Sequence, residues 1–251
     1  MDAAFKNRLN SGDVVTGPWI GIPSITNIEV LARCGADYLL LDGEHGTLPP
    51  DSLAGLLPAV GSLPVVYRVR HGDSAHVKAA LDCGISALMV PMISNVAEAE
   101  AILRAAKYPP QGTRGIGPWR ASNFYDDFAG YCARANAETT TILQIETRAG
   151  LDNAAAIAAL DGVDMLYVGP ADLSAALGLK VGVLGPDLLA ACRKVAQSAR
   201  AAGKVAGIDL ATLDYLPALR DCGFTFFSHG SDIGFLQTGA RDTFAAFRKA
   251  L

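Results

Sequence analysis

Eight short apolar runs recur along this chain, and a helix-like segment fills each interval between them. The runs lie at 14–22, 37–42, 64–69, 86–91, 140–146, 164–168, 205–208 and 224–228. A strand buried on both faces of a parallel sheet reads as such a run, without polar alternation. Repeated βα alternation implies a parallel sheet. Eight units in 251 residues fit an α/β architecture of one closed (β/α)8 TIM barrel over 1–251 better than an open sheet. Helices are predicted over 4–10, 27–34, 50–60, 74–83, 95–107, 126–137, 152–160, 186–202, 213–220 and 233–250. Residues 174–177 read as a polar loop. The stretch 108–125 is long, rich in Gly and Pro, and carries Arg114 and Arg120; loops of that length are often functional.

Composition removes several alternatives. Apolar residues make up 51% and charged residues 18%, which excludes a disordered chain. A net charge of −4 leaves no basic footprint for nucleic acid. No apolar run is long enough for a membrane span. The cysteines Cys34, Cys83, Cys132, Cys192 and Cys222 are widely spaced, odd in number and without a CxxC. That pattern predicts reduced thiols in a cytoplasmic protein. The N-terminal residues have neither the apolar core nor the cleavage site of a secretory signal.

In a (β/α)8 barrel, reactive groups lie at strand C-termini and in the loops that follow. Five places put polar groups there: Asp42/Glu44/His45, Arg68/Arg70, Gln144/Glu146, Asp172/Ser174 and Ser228/His229. Glu146 and Asp172 end neighbouring runs, one βα unit apart. Carboxylates with no adjacent Cys or His favour Mg²⁺ or Mn²⁺ over structural zinc. Asp172 also reads as an N-cap for a following helix. His45, in a Gly-Glu-His-Gly loop, is a candidate general base, with Asp42 to orient it; the plainer reading is an exposed loop histidine. Arg68 is a candidate for steadying a carboxylate or an enolate oxygen, or simply an ion-pair partner of Asp42 or Glu44. Arg70 could point the same way. Gly169-Pro170-Ala171-Asp172 offers backbone N–H groups for a carboxylate. His71 and His76 read as surface residues, and no lysine falls at a strand C-terminus for a Schiff base.

Five segments carry a family resemblance: 39–45 (Leu-Leu-Leu-Asp-Gly-Glu-His), 90–95 (Val-Pro-Met-Ile-Ser-Asn), 108–115 (Tyr-Pro-Pro-Gln-Gly-Thr-Arg-Gly), 144–147 (Gln-Ile-Glu-Thr) and 168–174 (Val-Gly-Pro-Ala-Asp-Leu-Ser). In this order, over about 14–245, the chain resembles the HpcH/HpaI aldolases, metal-dependent pyruvate aldolases of the phosphoenolpyruvate/pyruvate barrel superfamily. The resemblance implies reversible cleavage of 4-hydroxy-2-oxo acids to pyruvate, or a related 2-oxo acid such as hydroxypyruvate, and an aldehyde. It implies a divalent cation, Mg²⁺ or Mn²⁺ with Co²⁺ as a further candidate, held by Glu146 and Asp172. His45 would be the base, Asp42 its partner, and Arg68 the group that steadies the keto oxygen. Gln144 would touch the ligand sphere, and Ala171 and Asp172, in the Gly169-Pro170 turn, would hold the pyruvate carboxylate. Asp82 falls on a family aspartate that reaches a neighbouring subunit's His–Asp pair, and Leu210 on an apolar wall near the aldehyde. The resemblance also implies a swapped C-terminal helix and a homohexamer, a trimer of dimers. Two departures bear on the acceptor aldehyde: the loop sequence after Gly115, and Asp209 beside the apolar wall.

Two other functions remain open at this level. One is an acyl-CoA lyase of the same barrel superfamily, which would need a basic surface for the nucleotide. The other is a barrel that binds or assembles without catalysis, against which the full set His45, Arg68, Glu146 and Asp172 argues.

Overall fold

A computed structural model describes residues 2–251. Eight parallel strands pair in chain order: β1 (Val15–Ile20), β2 (Leu39–Asp42), β3 (Val65–Arg68), β4 (Ala87–Val90), β5 (Thr140–Ile145), β6 (Met165–Val168), β7 (Val205–Asp209) and β8 (Phe226–Ser231). β8 pairs with β1 and closes the barrel. The expected TIM barrel is therefore present, with all eight strands at or within three residues of the apolar runs.

The helices between strands are α2 (Ile25–Leu31), α3 (Pro50–Val60), α4 (Ser74–Asp82), α5 (Val96–Ala106), α6 (Phe128–Glu138), α7 (Arg148–Ala158), α8 (Pro170–Ala176), α9 (Pro186–Ala201) and α10 (Leu216–Cys222). Several start on a side chain that satisfies their free N–H groups. Asp73 accepts from Ala75 and His76, and Asn95 accepts from Glu98. Thr147 accepts from Gly150 and starts α7 at 148, four residues before the predicted 152. The segment read as a polar loop is also helical: α8 begins on Pro170, whose fixed φ and missing N–H suit a first turn. Asp172 therefore lies inside that first turn, and Gly169 is the cap residue.

Strand side chains alternate between two buried layers. One set points inward: Tyr38, Leu40, Val66, Met89, Ile142, Met165, Tyr167 and Phe226, with Tyr38 stacked on Phe226 at 4.4 Å between centroids. The other set faces the helices and includes Leu39, Leu41, Val90, Leu143, Val168 and Ile208. α1 (Ala3–Asn10) buries Phe5 and Leu9 with the inward set, and so plugs the end where the strands begin. Inward parity then places Trp19, Asp42, Arg68, Gln144, Glu146, Gly169 and Asp209 at the open end, one or two steps beyond the aromatic layer.

The last helix, α11 (Asp232–Lys249), leaves the barrel. Asp232 is its one buried residue. The Asp232 carboxylate accepts hydrogen bonds from the N–H groups of Gly21, Ile22 and Ile233 and from the Asn27 amide, which pins the helix start to the end of β1. Beyond it, Leu236, Phe244 and Phe247 are 60% or more exposed.

Candidate active site

The mouth is built from strand register. Asp42 and Arg68 are direct partners across β2 and β3, so their side chains emerge side by side. The Arg68 guanidinium donates Nε to Asp42 Oδ1 at 2.9 Å and Nη2 to Oδ2 at 2.8 Å. Its Nη1 lies 3.1 Å from Glu44 Oε2. Its flat face covers the Trp19 ring, Cζ being 4.2 Å from the centroid. A planar fork satisfied at both edges and stacked on an indole is held in one orientation. Burial pushes the Asp42 carboxyl upward, but the Arg68 hydrogen bonds and charge outweigh it and hold its pKa below the ordinary value. Burial likewise opposes the Arg68 charge, and Asp42 reverses that.

Glu146 follows β5 and is 2% exposed. Its Oε1 accepts from the Met92 N–H at 2.8 Å, and its Oε2 from Gln144 Nε2 at 2.5 Å. Met92 adopts φ 62, an uncommon conformation for a non-glycine residue, and from it delivers that N–H. Gln144 Oε1 is buried and without a partner among the described residues. Burial lifts the Glu146 pKa to about 7; the Met92 N–H opposes this, and the nearby Glu44 and Asp172 charges add to it. Gly169 stands beside Glu146 because nothing larger fits: a Cβ there would overlap Glu146 Oε2 and lie 2.8 Å from Gln144 Nε2. In α8 the first intrahelical bond runs from Leu173 N to Gly169 O. The N–H groups of Ala171 and Asp172 precede it and are free for a ligand.

Other predicted residues fall elsewhere. His45 is exposed, and its Nε2 lies 3.7 Å from Glu44 Oε2. Asp42 does not reach that imidazole: its Oδ1 accepts from the backbone N–H groups of Glu44 and His45, and both oxygens face Arg68. Arg70 is exposed, with Nε 3.3 Å from the Gly43 carbonyl. Asp82 ends α4, which runs back from the mouth, so it lies toward the opposite end of the barrel. There it pairs with the buried Arg114 at 2.6 Å, and the long loop packs against it through Ala121. Leu210 is 3% exposed and packs among the outward-facing residues; the neighbour that faces the mouth is Asp209.

Trp19, Met92 and Asp209 are the residues of the mouth that motif reading did not place in the site. Trp19 sits in a run broken by Gly17-Pro18 and carries no signal; Met92 lies in the 90–95 segment of the resemblance, but because it acts through its backbone N–H its side chain gives no hint of the role. Asp209 carried one: a carboxylate ending an apolar run, as at Asp42.

The donor set fits a hard divalent cation. Glu146 and Asp172 could supply oxygen ligands, and the orphaned Gln144 Oε1 could accept from a coordinated water. Among the described residues no group of three or more His, Cys, Asp or Glu side chains is gathered for a metal. The remaining ligands would have to come from substrate and water.

The family model for HpcH/HpaI aldolase/citrate lyase matches residues 16–238. A hydroxypyruvate/pyruvate aldolase of Pseudomonas aeruginosa is 38% identical over 247 residues, covering 97% of this chain and 92% of that protein. A 4-hydroxy-2-oxovalerate aldolase of Novosphingobium aromaticivorans is 38% identical over 255 residues, covering 99% of this chain and 95% of that protein. The crystal structure of an HpcH/HpaI aldolase/citrate lyase family protein from Burkholderia cenocepacia J2315 superposes with a TM-score of 0.92 at 31% identity, over 98% of this chain and 100% of that one.

Proposed function

We propose that this chain, which belongs to the HpcH/HpaI aldolase/citrate lyase family and is an aldolase, a carbon–carbon lyase, reversibly cleaves 4-hydroxy-2-oxo acids. The products are pyruvate, or a related 2-oxo acid such as hydroxypyruvate, and an aldehyde. The observation that carries this reading is the buried Glu146 carboxylate, held by Met92 and Gln144 beside Gly169 at the barrel mouth. A carboxylate with a pKa raised to about 7, facing Glu44 and Asp172, calls for a counter-cation.

When bound at Glu146 and Asp172, a divalent cation, Mg²⁺ or Mn²⁺ with Co²⁺ as the alternative, supplies Lewis-acid polarisation of the keto oxygen and offsets the charge of the enolate. The Ala171 and Asp172 amides at the Gly169-Pro170 turn bind the substrate carboxylate. Arg68, locked by Asp42, Glu44 and Trp19, donates to the keto oxygen as negative charge grows there. His45 takes the proton from the 4-hydroxyl as the C3–C4 bond breaks and the aldehyde leaves; C3 of the enolate then takes a proton from solvent to give pyruvate, and synthesis reverses both transfers. His45 stands on the rim, so it acts on the aldehyde side of the site.

Assembly follows from the outermost helix. Ile233 and Phe235 rest against Gly21 and Gly230, but Leu236, Phe244 and Phe247 stay exposed, and exchange of this helix between subunits of a cytoplasmic homohexamer would bury them. Asp82 would act in the same assembly, toward His45 of a neighbouring subunit.

The test is exchange of pyruvate methyl protons for deuterium, followed by NMR with Mn²⁺ or Mg²⁺ and with EDTA. It needs only the enolate half-reaction, so no aldehyde has to be guessed. Exchange that EDTA and Glu146→Gln abolish is expected. A wild-type protein silent with every divalent cation ends this reading.

A further inference from the structure

Asp209 ends β7 with inward parity, and its register partner on β8 is Ser228. Its Oδ1 accepts from Trp19 Nε1 at 2.8 Å; its Oδ2 takes no hydrogen bond among the described residues. The Trp19 ring in turn underlies the Arg68 guanidinium, so the Asp209 carboxylate stands one indole ring away from the group that meets the keto oxygen. Asp209 also lines a cavity of about 100 Å³, together with Pro170, Ala171, Val183, Tyr215 and the helix-facing Ile208. Ala171 borders both this cavity and the proposed carboxylate cradle. The walls are apolar, and Asp209 is the charged group among them.

We propose that Asp209 selects the acceptor aldehyde by charge: the site takes small uncharged aldehydes and rejects those that carry a carboxylate. The inference rests on the pyruvate-aldolase reading of the same site and names its acceptor class. A carboxylate on the aldehyde would meet Asp209 with no uncommitted side-chain cation to pair with it. Arg68 is held by Asp42 and Glu44, and in the proposed mechanism its remaining N–H groups serve the keto oxygen. Arg70 is exposed and turned toward Gly43. His229 gives its Nδ1–H to the Leu210 carbonyl at 2.6 Å. An uncharged hydroxyaldehyde, by contrast, can donate its hydroxyl proton to the open Oδ2.

The experiment compares succinic semialdehyde, an anion, with butanal, an uncharged aldehyde of the same chain length. Each is the acceptor for pyruvate at pH 8 with Mn²⁺, with wild type, Asp209→Asn and Asp209→Glu. Asn keeps an oxygen for the Trp19 N–H and removes the charge; Glu keeps the charge. The readout is the ratio of kcat/KM for the anion to kcat/KM for butanal, in which general damage cancels. The ratio should rise on the order of tenfold in Asp209→Asn and stay near the wild-type value in Asp209→Glu. A ratio unchanged in Asp209→Asn, or raised equally in Asp209→Glu, overturns the inference, as does a wild type that prefers the anion. Pyruvate proton exchange by the wild type separates the two failures. Exchange with an unchanged ratio removes the role of Asp209 alone; no exchange removes the aldolase reading and this inference with it.

Discussion

Replacing Gly169 by Ala should disable the proposed cation site while leaving the barrel folded. The backbone does not demand glycine here, since φ is −90 and ψ 92, which an L-residue adopts freely. The demand comes from space: the new Cβ would overlap Glu146 Oε2 and lie 2.8 Å from Gln144 Nε2 and 3.1 Å from Glu146 Cβ. The Glu146 carboxylate cannot swing aside cheaply, because both its oxygens are engaged, by Met92 N and Gln144 Nε2. Overpacking of this kind costs about 1–3 kcal/mol. Against it, Ala stabilises by roughly 0.4–1 kcal/mol through the unfolded chain. The net loss of stability therefore lies between about 0 and 2.6 kcal/mol. The cation, however, meets a carboxylate whose binding position now carries the whole penalty, so its Kd should rise roughly 5- to 150-fold. Mn²⁺ titration by EPR or calorimetry, beside thermal melts, measures both quantities. Gly185→Ala is the control, since no atom lies within 4 Å of a Cβ there. Mn²⁺ binding by Gly169→Ala within twofold of wild type would refute the placement of the cation at Glu146.

Three further outcomes follow from the same geometry. Without metal, Glu146 holds its proton up to about pH 7, against an ordinary value of 4.5. The group's contribution to stability is complete below about 4.5 and fades as pH rises through 7. Urea denaturation with EDTA should show the wild type losing up to about 3 kcal/mol between pH 5 and 8 relative to Glu146→Gln, and equal pH slopes for the two proteins would count against it. Arg68→Lys keeps the charge but loses the fork to Asp42, so kcat/KM for the 2-oxo acid should fall on the order of 10²-fold with little change in Tm; an activity loss under threefold would argue that Arg68 serves packing alone. Phe244→Glu with Phe247→Glu places charges on the exposed face of α11, and light scattering should report a smaller assembly; an unchanged mass would show that this face is not an intersubunit contact.

How much of this was legible in the sequence depends on which physical signal each residue carried. The strands were plain because eight apolar runs with helices between them admit few other folds. Their C-terminal carboxylates were plain too, since charge at the end of a run buried on both faces stands out. What such a run hides is parity: without polar alternation, nothing in the sequence says which residue faces the barrel. The consequence is visible at β7, where Leu210 was assigned to the aldehyde wall although it packs outward, and the inward position belongs to Asp209. α8 was read as a loop because seven residues are too short for a helical period to show. The sequence leaves Asp42 open to either Arg68 or the His45 imidazole, and the register of the assembled sheet decides for Arg68. Asp82 cannot meet the site within one chain at all.

Charge explains why these particular residues share one mouth. Asp42, Glu44, Glu146, Asp172 and Asp209 all point into it or onto its rim, and Arg68 is the guanidinium set among them. Register commits Arg68 to Asp42, and its remaining edge goes to Glu44. Glu44 still titrates above its ordinary value because burial outweighs the attraction of Arg68. Asp209 does the same, with only the Trp19 hydrogen bond and the more distant His229 and Arg68 charges to oppose burial. Glu146 then feels the Arg68 charge too weakly to offset its burial, and in the bare protein its carboxyl holds a proton up to about pH 7. A divalent cation bound there would replace that proton with two positive charges where an enolate needs them. The same excess of carboxylates would make the mouth a poor place for a second substrate carboxylate, so a charge pattern that recruits a cation would also narrow the choice of aldehyde.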